Sequence, residues 1–274
     1  MIVLIAALAA QAGPWTRSEG SFYAKAAADW YDTGSYVSPT AGEVADTQYF
    51  GHRYGVYGEI GLPTGHPVQL AASLPVVVGR VRFTRRDAFE DLNGTATSTR
   101  LGDLTLTPQV ALHRELPIAA ALEMKLPLYD NGGVCEGNPW QEYCPWAGDG
   151  QVDLTGWVSA GASLGGKGWT EAAVGYRHRT EWYPAGFLPL SYTDLVTSNA
   201  TIGLLAGPLA LAARADTAVA PAPDKRTSEY FRIGPSLLFD IVENVAIEGR
   251  YQHDLWTRNA SAGFGFGAGV SVRR

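Results

Sequence analysis

The stretch VAIEGRYQHDLWTRNASAGFGFGAGVSVRR, Val245 to Arg274, is two alternating segments joined by a short polar turn. Successive side chains of an extended chain point to opposite sides. In the first segment Val245, Ile247, Gly249, Tyr251, His253 and Leu255 therefore share one face, and Ala246, Glu248, Arg250, Gln252, Asp254 and Trp256 the other. In the second, Ala262, Phe264, Phe266, Ala268, Val270 and Val272 alternate with Gly263, Gly265, Gly267 and Gly269. Each strand has one greasy face and one that is charged or nearly bare. No ordinary core buries both, so the fold turns on which face meets what.

The same split recurs along the chain. In AVGYRHRTEW, Val174, Tyr176 and Trp182 oppose Arg177, Arg179 and Glu181. In IAAALEMKLPLY, Ile118, Ala120, Leu122, Met124, Leu126 and Leu128 oppose Glu123, Lys125 and Tyr129. Helical periodicity is nearly absent. Twelve strands are expected, at residues 20–31, 46–62, 68–83, 101–114, 118–129, 151–164, 169–182, 194–205, 209–217, 227–241, 245–256 and 260–272. The connections PTGHP, ELP, GGKG, AGP and VEN are tight, while those after odd-numbered strands are mostly long. Short turns at one end, long loops at the other and an even strand count describe an all-β, 12-stranded antiparallel up-and-down transmembrane β-barrel with short periplasmic turns and long extracellular loops. A soluble sandwich predicts no such alternation.

The barrel reading also explains the inverted faces. In hydrocarbon every backbone N–H and C=O must be paired within the protein, and among strands only a closed barrel achieves this. The greasy face then meets outer-membrane lipid. Phe22, Trp30, Tyr54, Phe83, Trp169 and Trp182, near strand ends, suit aromatic girdles at the two interfaces. The inner face is expected to carry Lys25, Arg53, Glu59, Arg80, Arg82, Asp103, Glu123, Lys125, Asp153, Glu171, Arg177, Arg179, Arg214, Arg232, Glu248 and Arg250, with Asp29, Glu181, Asp216, Asp240 and Asp254. Arg or Lys on the lipid face at mid-depth costs about 2 to 4 kcal/mol, which is why the sorting is informative. Acids and bases are nearly balanced, so these groups either pair into a stiffening network or line a hydrated passage. Twelve strands fall between a filled eight-stranded barrel and an open sixteen-stranded pore. The glycine face of the last strand is expected to form an open wall of that passage.

Composition bounds the rest. The 274 residues carry a formal net charge of -6 and no run of 18 apolar residues, which removes nucleic acid as a partner and a helical membrane span. Met1 to Ala12 (MIVLIAALAAQA) fits an export signal cleaved before Gly13, leaving 13–274 as a single barrel domain; its missing basic n-region points to a misplaced start or a trimmed sequence. Cys135 and Cys144 bracket a polar loop and are expected to form a disulfide in an oxidising compartment. Gly13 to Glu19 is too short for a plug domain. Pro75, Pro108, Pro127 and Pro235 fall inside strands and should mark bulges or edges. Pro75 and Pro108 are expected at similar heights, with a bulge between Val76 and Val81, forming a weak seam through which a hydrophobic solute could leave sideways. No cofactor, metal set or catalytic constellation is found. Of the five histidines only His113 takes inward parity, and an outer-membrane lipid enzyme built on His178 and His253 is the least favoured reading.

Four stretches carry a family resemblance: LGDLTLTPQVAL from Leu101, MKLPLYDNGG from Met124, GDGQVDLTGWVSAGASL from Gly148 and the terminal GFGAGVSVRR. In order and spacing, from about Asp46 onward, they resemble the outer-membrane transporters of the MetA-pathway of phenol degradation family. The resemblance implies a barrel in the outer membrane of a Gram-negative bacterium, inserted by the barrel-assembly machinery and passing small hydrophobic or aromatic solutes. Val272, Arg273 and Arg274 depart from the terminal aromatic that this machinery usually reads. The expected function is passive uptake of small molecules; a non-conducting structural or surface-interaction barrel is the alternative.

Overall fold

The computed structural model describes residues 13–33, 36–38, 42–44, 48–86, 91–129, 135, 144–183, 192–222, 227–260 and 262–274. Met1 to Ala12, the expected export signal, lie outside them. The strands are β1 (Phe22–Thr33), β2 (Tyr36–Ser38), β3 (Gly42–Val44), β4 (Gln48–Leu62), β5 (Val68–Arg86), β6 (Asp91–Leu101), β7 (Asp103–Ala111), β8 (Ile118–Pro127), β9 (Asp153–Ser163), β10 (Gly168–Arg179), β11 (Leu195–Ala206), β12 (Leu209–Val219), β13 (Glu229–Val242), β14 (Val245–Arg258) and β15 (Gly263–Arg273). The small β2–β3 hairpin stands outside the main sheet.

The wall strands pair antiparallel in chain order, and β1 pairs with β15, so the sheet closes on itself; β6, at its far end, has β5 as its one ladder partner among the described residues. Both β6 and β7 pair with β5, as two halves of one wall strand. Counting them once gives a closed twelve-stranded up-and-down barrel, as the alternation predicts. The seam is tied at its base by reciprocal hydrogen bonds between Phe22 and Arg274, both 3.0 Å. Closure satisfies the ladder around the whole circumference, the condition for strands in hydrocarbon.

The outer face matches that condition. Val158, Val174, Ile202, Leu204 and Phe266 point outward and each keeps more than half of its surface exposed. Soluble monomers rarely expose contiguous apolar patches beyond a few hundred Å². Trp30, Tyr54, Phe22 and Trp182 also point outward and are exposed. Phe83 and Trp169 do not: both are buried inside, lying over Gly94 and Gly203 of the neighbouring strands. Their parity, not their nearness to a strand end, decides.

Five other expectations are corrected. Arg80 and Arg82 lie on the outer face, because the β4–β5 register runs unbroken from Leu62↔Val68 to Gln48↔Arg82 and leaves no bulge between Val76 and Val81 to turn them inward. Arg82 stacks on the outward Phe50 ring at 5.3 Å. The bulge is instead on the partner strand: the pairing steps from Ser73↔Thr105 to Val76↔Leu101, leaving one extra residue near Gly102. Pro75 explains it, since its carbonyl accepts from Gly102 N at 2.8 Å on the side where its missing N–H would have paired. Pro108 pairs with Leu70, five residues along β5 from Pro75, so the two prolines do not share a height and the seam loses its premise. Asp91 to Arg100, read as loop because it is polar, is strand β6. A bulge at Leu255 turns Trp256 outward beside Phe231.

Candidate functional site: the barrel interior

Glycine on the inner face is where a neighbour's large side chain lies down. Trp169 covers Gly203, Trp157 covers Gly175, Phe83 covers Gly94 and Tyr49 covers Gly51. The last strand follows the same rule, which overturns its reading as an open wall. Arg250 reaches across Gly267 to Asp29 in a bidentate pair, at 2.6 to 2.9 Å. Gln252 lies against Gly265, and Tyr31 packs beside Gly263 while donating to the Asp254 carboxylate. The bare strand exists because the strands on both sides of it are not bare.

The periplasmic end is filled. Tyr23, Trp169, Ala210, Ala212, Leu238 and Ala246 form a buried cluster, with Trp15, Tyr57 and Leu205 packed on it. Gly13 to Ser21 runs inside this end. Gln109 Nε2 donates to Gly13 O at 2.8 Å, Arg17 N donates to Gln69 Oε1 at 2.8 Å, and the Arg17 guanidinium pairs with Glu59 at 2.5 Å. Pro14 and Trp15 sit over Gly161. The segment is too short for a plug domain, but a few residues suffice where the wall itself contributes Trp169, Tyr23 and Leu238.

The opposite end is narrowed by the β8–β9 connection. The Cys135–Cys144 disulfide is formed and packs with Val81, Phe83, Ala96, Tyr49 and Trp146. Pro145 lies over Gly79, and its carbonyl accepts from Ser98 Oγ at 2.6 Å. Asp149 enters the mouth and pairs with both Lys125 and Arg179, which also face Asp153. Beyond the end of β8, burial and the Asp103 carboxylate hold the Tyr129 phenol well above its ordinary pKa, so it remains a donor to Asp103 at 2.9 Å.

Between these ends lies the charged interior. Of the residues expected there, Lys25, Arg53, Glu59, Asp103, Glu123, Lys125, Asp153, Glu171, Arg177, Arg179, Arg214, Arg232, Glu248 and Arg250 occupy the inner parity of their strands. Most are paired: Lys25 with Glu248 at 2.6 Å, Arg177 with Glu123 at 3.7 Å, Arg214 with Asp216 at 2.7 Å and Arg232 with Asp254 at 3.2 Å. Sequence reading missed Arg100, hidden in the supposed loop, and Arg17, Gln69, Gln109, Trp157 and Tyr57. The glutamines carried a signal, being polar residues at inward parity in otherwise apolar strands. Glu181 falls beyond the end of β10, and His113 sits in the turn after β7, its Nδ1 accepting from Glu115 N and Leu116 N at 3.1 and 3.0 Å.

Outside the wall, a cavity of about 580 Å³ is bounded by outward Ala200, Ile202, Ala213, Ile233, Pro235 and Tyr251, where the β13–β14 ladder skips Gly234 and Pro235. It is a dent in the apolar face.

No family model and no curated protein matches the chain. Solved structures do. The COG4313 outer membrane channel from Pseudomonas putida F1 superposes with a TM-score of 0.61 at 14% identity, over 94% of this chain and 97% of that one. A mutant of the monoaromatic hydrocarbon channel TodX gives 0.54 at 9% identity, over 97% and 94%. The NanC porin gives 0.51 at 9% identity, over 92% and 98%. The fold is that of an outer-membrane β-barrel. These neighbours are barrels of the kind the motif resemblance implies, and the outer membrane of Gram-negative bacteria is where such walls belong.

Proposed function

We infer that the barrel is a passive conduit for small solutes across the outer membrane, its apolar face in lipid and its charged interior hydrated. The observation that carries this is Arg250: on an inner face, ion-paired, its side chain still keeps 42% of its surface exposed. The middle of the barrel is therefore water-filled, whereas both ends are narrowed chiefly by a short segment and a loop, pieces that can move without opening the wall. Support for hydrophobic or aromatic solutes comes from the resemblance and from the neighbours' names, TodX and CymD being monoaromatic hydrocarbon channels. The barrel fold supports insertion by the barrel-assembly machinery.

The sealed structural barrel is favoured by one observation, the filling of the periplasmic end by Trp15 and the Arg17–Glu59 pair. Osmotic swelling of proteoliposomes in small sugars and amino acids separates the two readings. The conduit gives swelling above empty vesicles that falls with solute size; swelling no faster than empty vesicles, with folded barrel present, supports the sealed form.

A further inference from the structure

The interior has one place where both of its rules fail together. Inner-face cations are otherwise ion-paired, yet Arg53 and Arg100 have no ion-pair or hydrogen-bond partner among the described residues. Inner-face glycines are otherwise covered, yet a Cβ on Gly55 would meet nothing nearer than 3.5 Å, and that is backbone of the adjacent strand. Gly55 is two residues from Arg53 on the same face of β4. The bare glycine and the unpaired arginines therefore adjoin one another.

Register defines the site. Arg250, Gly267, Asp29, Arg53, Val77 and Arg100 form one continuous row across β14, β15, β1, β4, β5 and β6. Arg53 and Arg100 flank Val77 from two strands apart, so their Cα atoms are about 10 Å from each other. The next inner row toward the periplasm begins with Glu248, held by Lys25, and continues through Gly269, Ala27, Gly55 and Pro75, which are small or apolar. Asp29 is engaged by Arg250 and Asp103 accepts from Tyr129; both carboxylates offset part of the arginines' charge at a distance, but neither forms an ion pair with Arg53 or Arg100. Counting the charges nearest Arg53, three cations (Arg53, Arg100 and Arg250) against two anions (Asp29 and Asp103) leave one positive charge.

We propose that this is a binding site for a small monoanionic carboxylate with an apolar body, the carboxylate held between Arg53 and Arg100 and the body over Gly55, Ala27 and Pro75. The planar guanidinium fork matches a carboxylate bidentately. One net positive charge with two carboxylates nearby suits a monoanion and disfavours a phosphate dianion. The apolar floor gives no partner to a sugar. The proposal rests on the conduit reading and names its solute class.

The test uses the folded barrel in detergent, with 4-fluorobenzoate as probe, its neutral amide 4-fluorobenzamide as control and fluorine NMR line broadening as readout. Heat-modifiable gel migration verifies folding of every variant. Saturable benzoate binding is expected at least tenfold tighter than binding of the amide or of inorganic phosphate. Arg53→Gln with Arg100→Gln should weaken it at least tenfold, Arg53→Lys with Arg100→Lys should partly restore it, and Gly55→Phe should block it with both arginines in place. Absence of benzoate binding, equal binding of the amide or of phosphate, or a double glutamine variant that binds as the wild type does would overturn the site. Since binding is read without transport, a barrel that binds benzoate but does not conduct refutes the conduit alone. One that conducts without binding refutes the carboxylate site alone.

Discussion

Single side chains divide by face, and the division has measurable consequences. Trp169 is fully buried over Gly203, whereas Trp182 is 64% exposed on the outer side. Trp169→Ala should cost about 3 to 5 kcal/mol, the usual range for deleting a buried aromatic, and Trp182→Ala less than about 1 kcal/mol. Urea unfolding in micelles followed by fluorescence gives both numbers, and equal costs would contradict the assignment of faces. Asp254 is a second case. It accepts from Tyr31 and from Gly263 N at 3.2 Å and pairs with Arg232. Asp254→Asn leaves the Arg232 charge unpaired and should cost about 3 kcal/mol, near the lower end for broken buried pairs because Arg232 keeps some water. A loss below about 1 kcal/mol in the same titration would show that the network carries little of the stability. What the alternation made legible at this scale was the face of most residues. Arg80, Arg82 and Trp256 escaped it because one added or missing bulge residue flips every side chain beyond it, and bulges leave weak traces in a sequence.

At the level of elements, the strands and tight turns were legible because period-2 alternation is long and the turn chemistry is strong. The stretch Asp91 to Arg100 was not, since β6 carries no apolar stripe; its outward residues include Thr95, Thr97 and Thr99 rather than Leu or Val. Nor was the inward course of Gly13 to Ser21, whose anchors Glu59, Gln69 and Gln109 come from three different strands. Long-range convergence of that kind has no local signature. The β8–β9 connection offers a direct test of its role. Cys135→Ser with Cys144→Ser should leave the barrel folded while freeing Pro145 and Trp146 from the inner wall near Gly79 and Ser98. Limited proteolysis should then cut between residues 128 and 152 several-fold faster than in the oxidised protein. Unchanged cleavage would mean that packing alone holds the connection.

For the molecule as a whole, the closed ladder, the apolar outside and the charged inside are one solution to one problem. Backbone polarity is consumed by circumferential pairing, side-chain polarity is turned inward, and the inner glycines leave room for the large side chains that this inversion gathers there. That economy also explains why the last strand looked like an opening: its emptiness is visible locally, while Arg250 and Asp29, the groups that fill it, lie 221 positions apart in the chain. On the conduit reading, the middle of the barrel is a hydrated route closed at the periplasmic end by Gly13 to Ser21. Single-channel recording in planar bilayers tests it most directly, comparing the wild-type barrel with one lacking residues 13–19, both shown to be folded by heat-modifiable migration. Small, intermittent conductance is expected in the first, and conductance several-fold larger and steadier in the second. Silence in both would contradict the conduit reading.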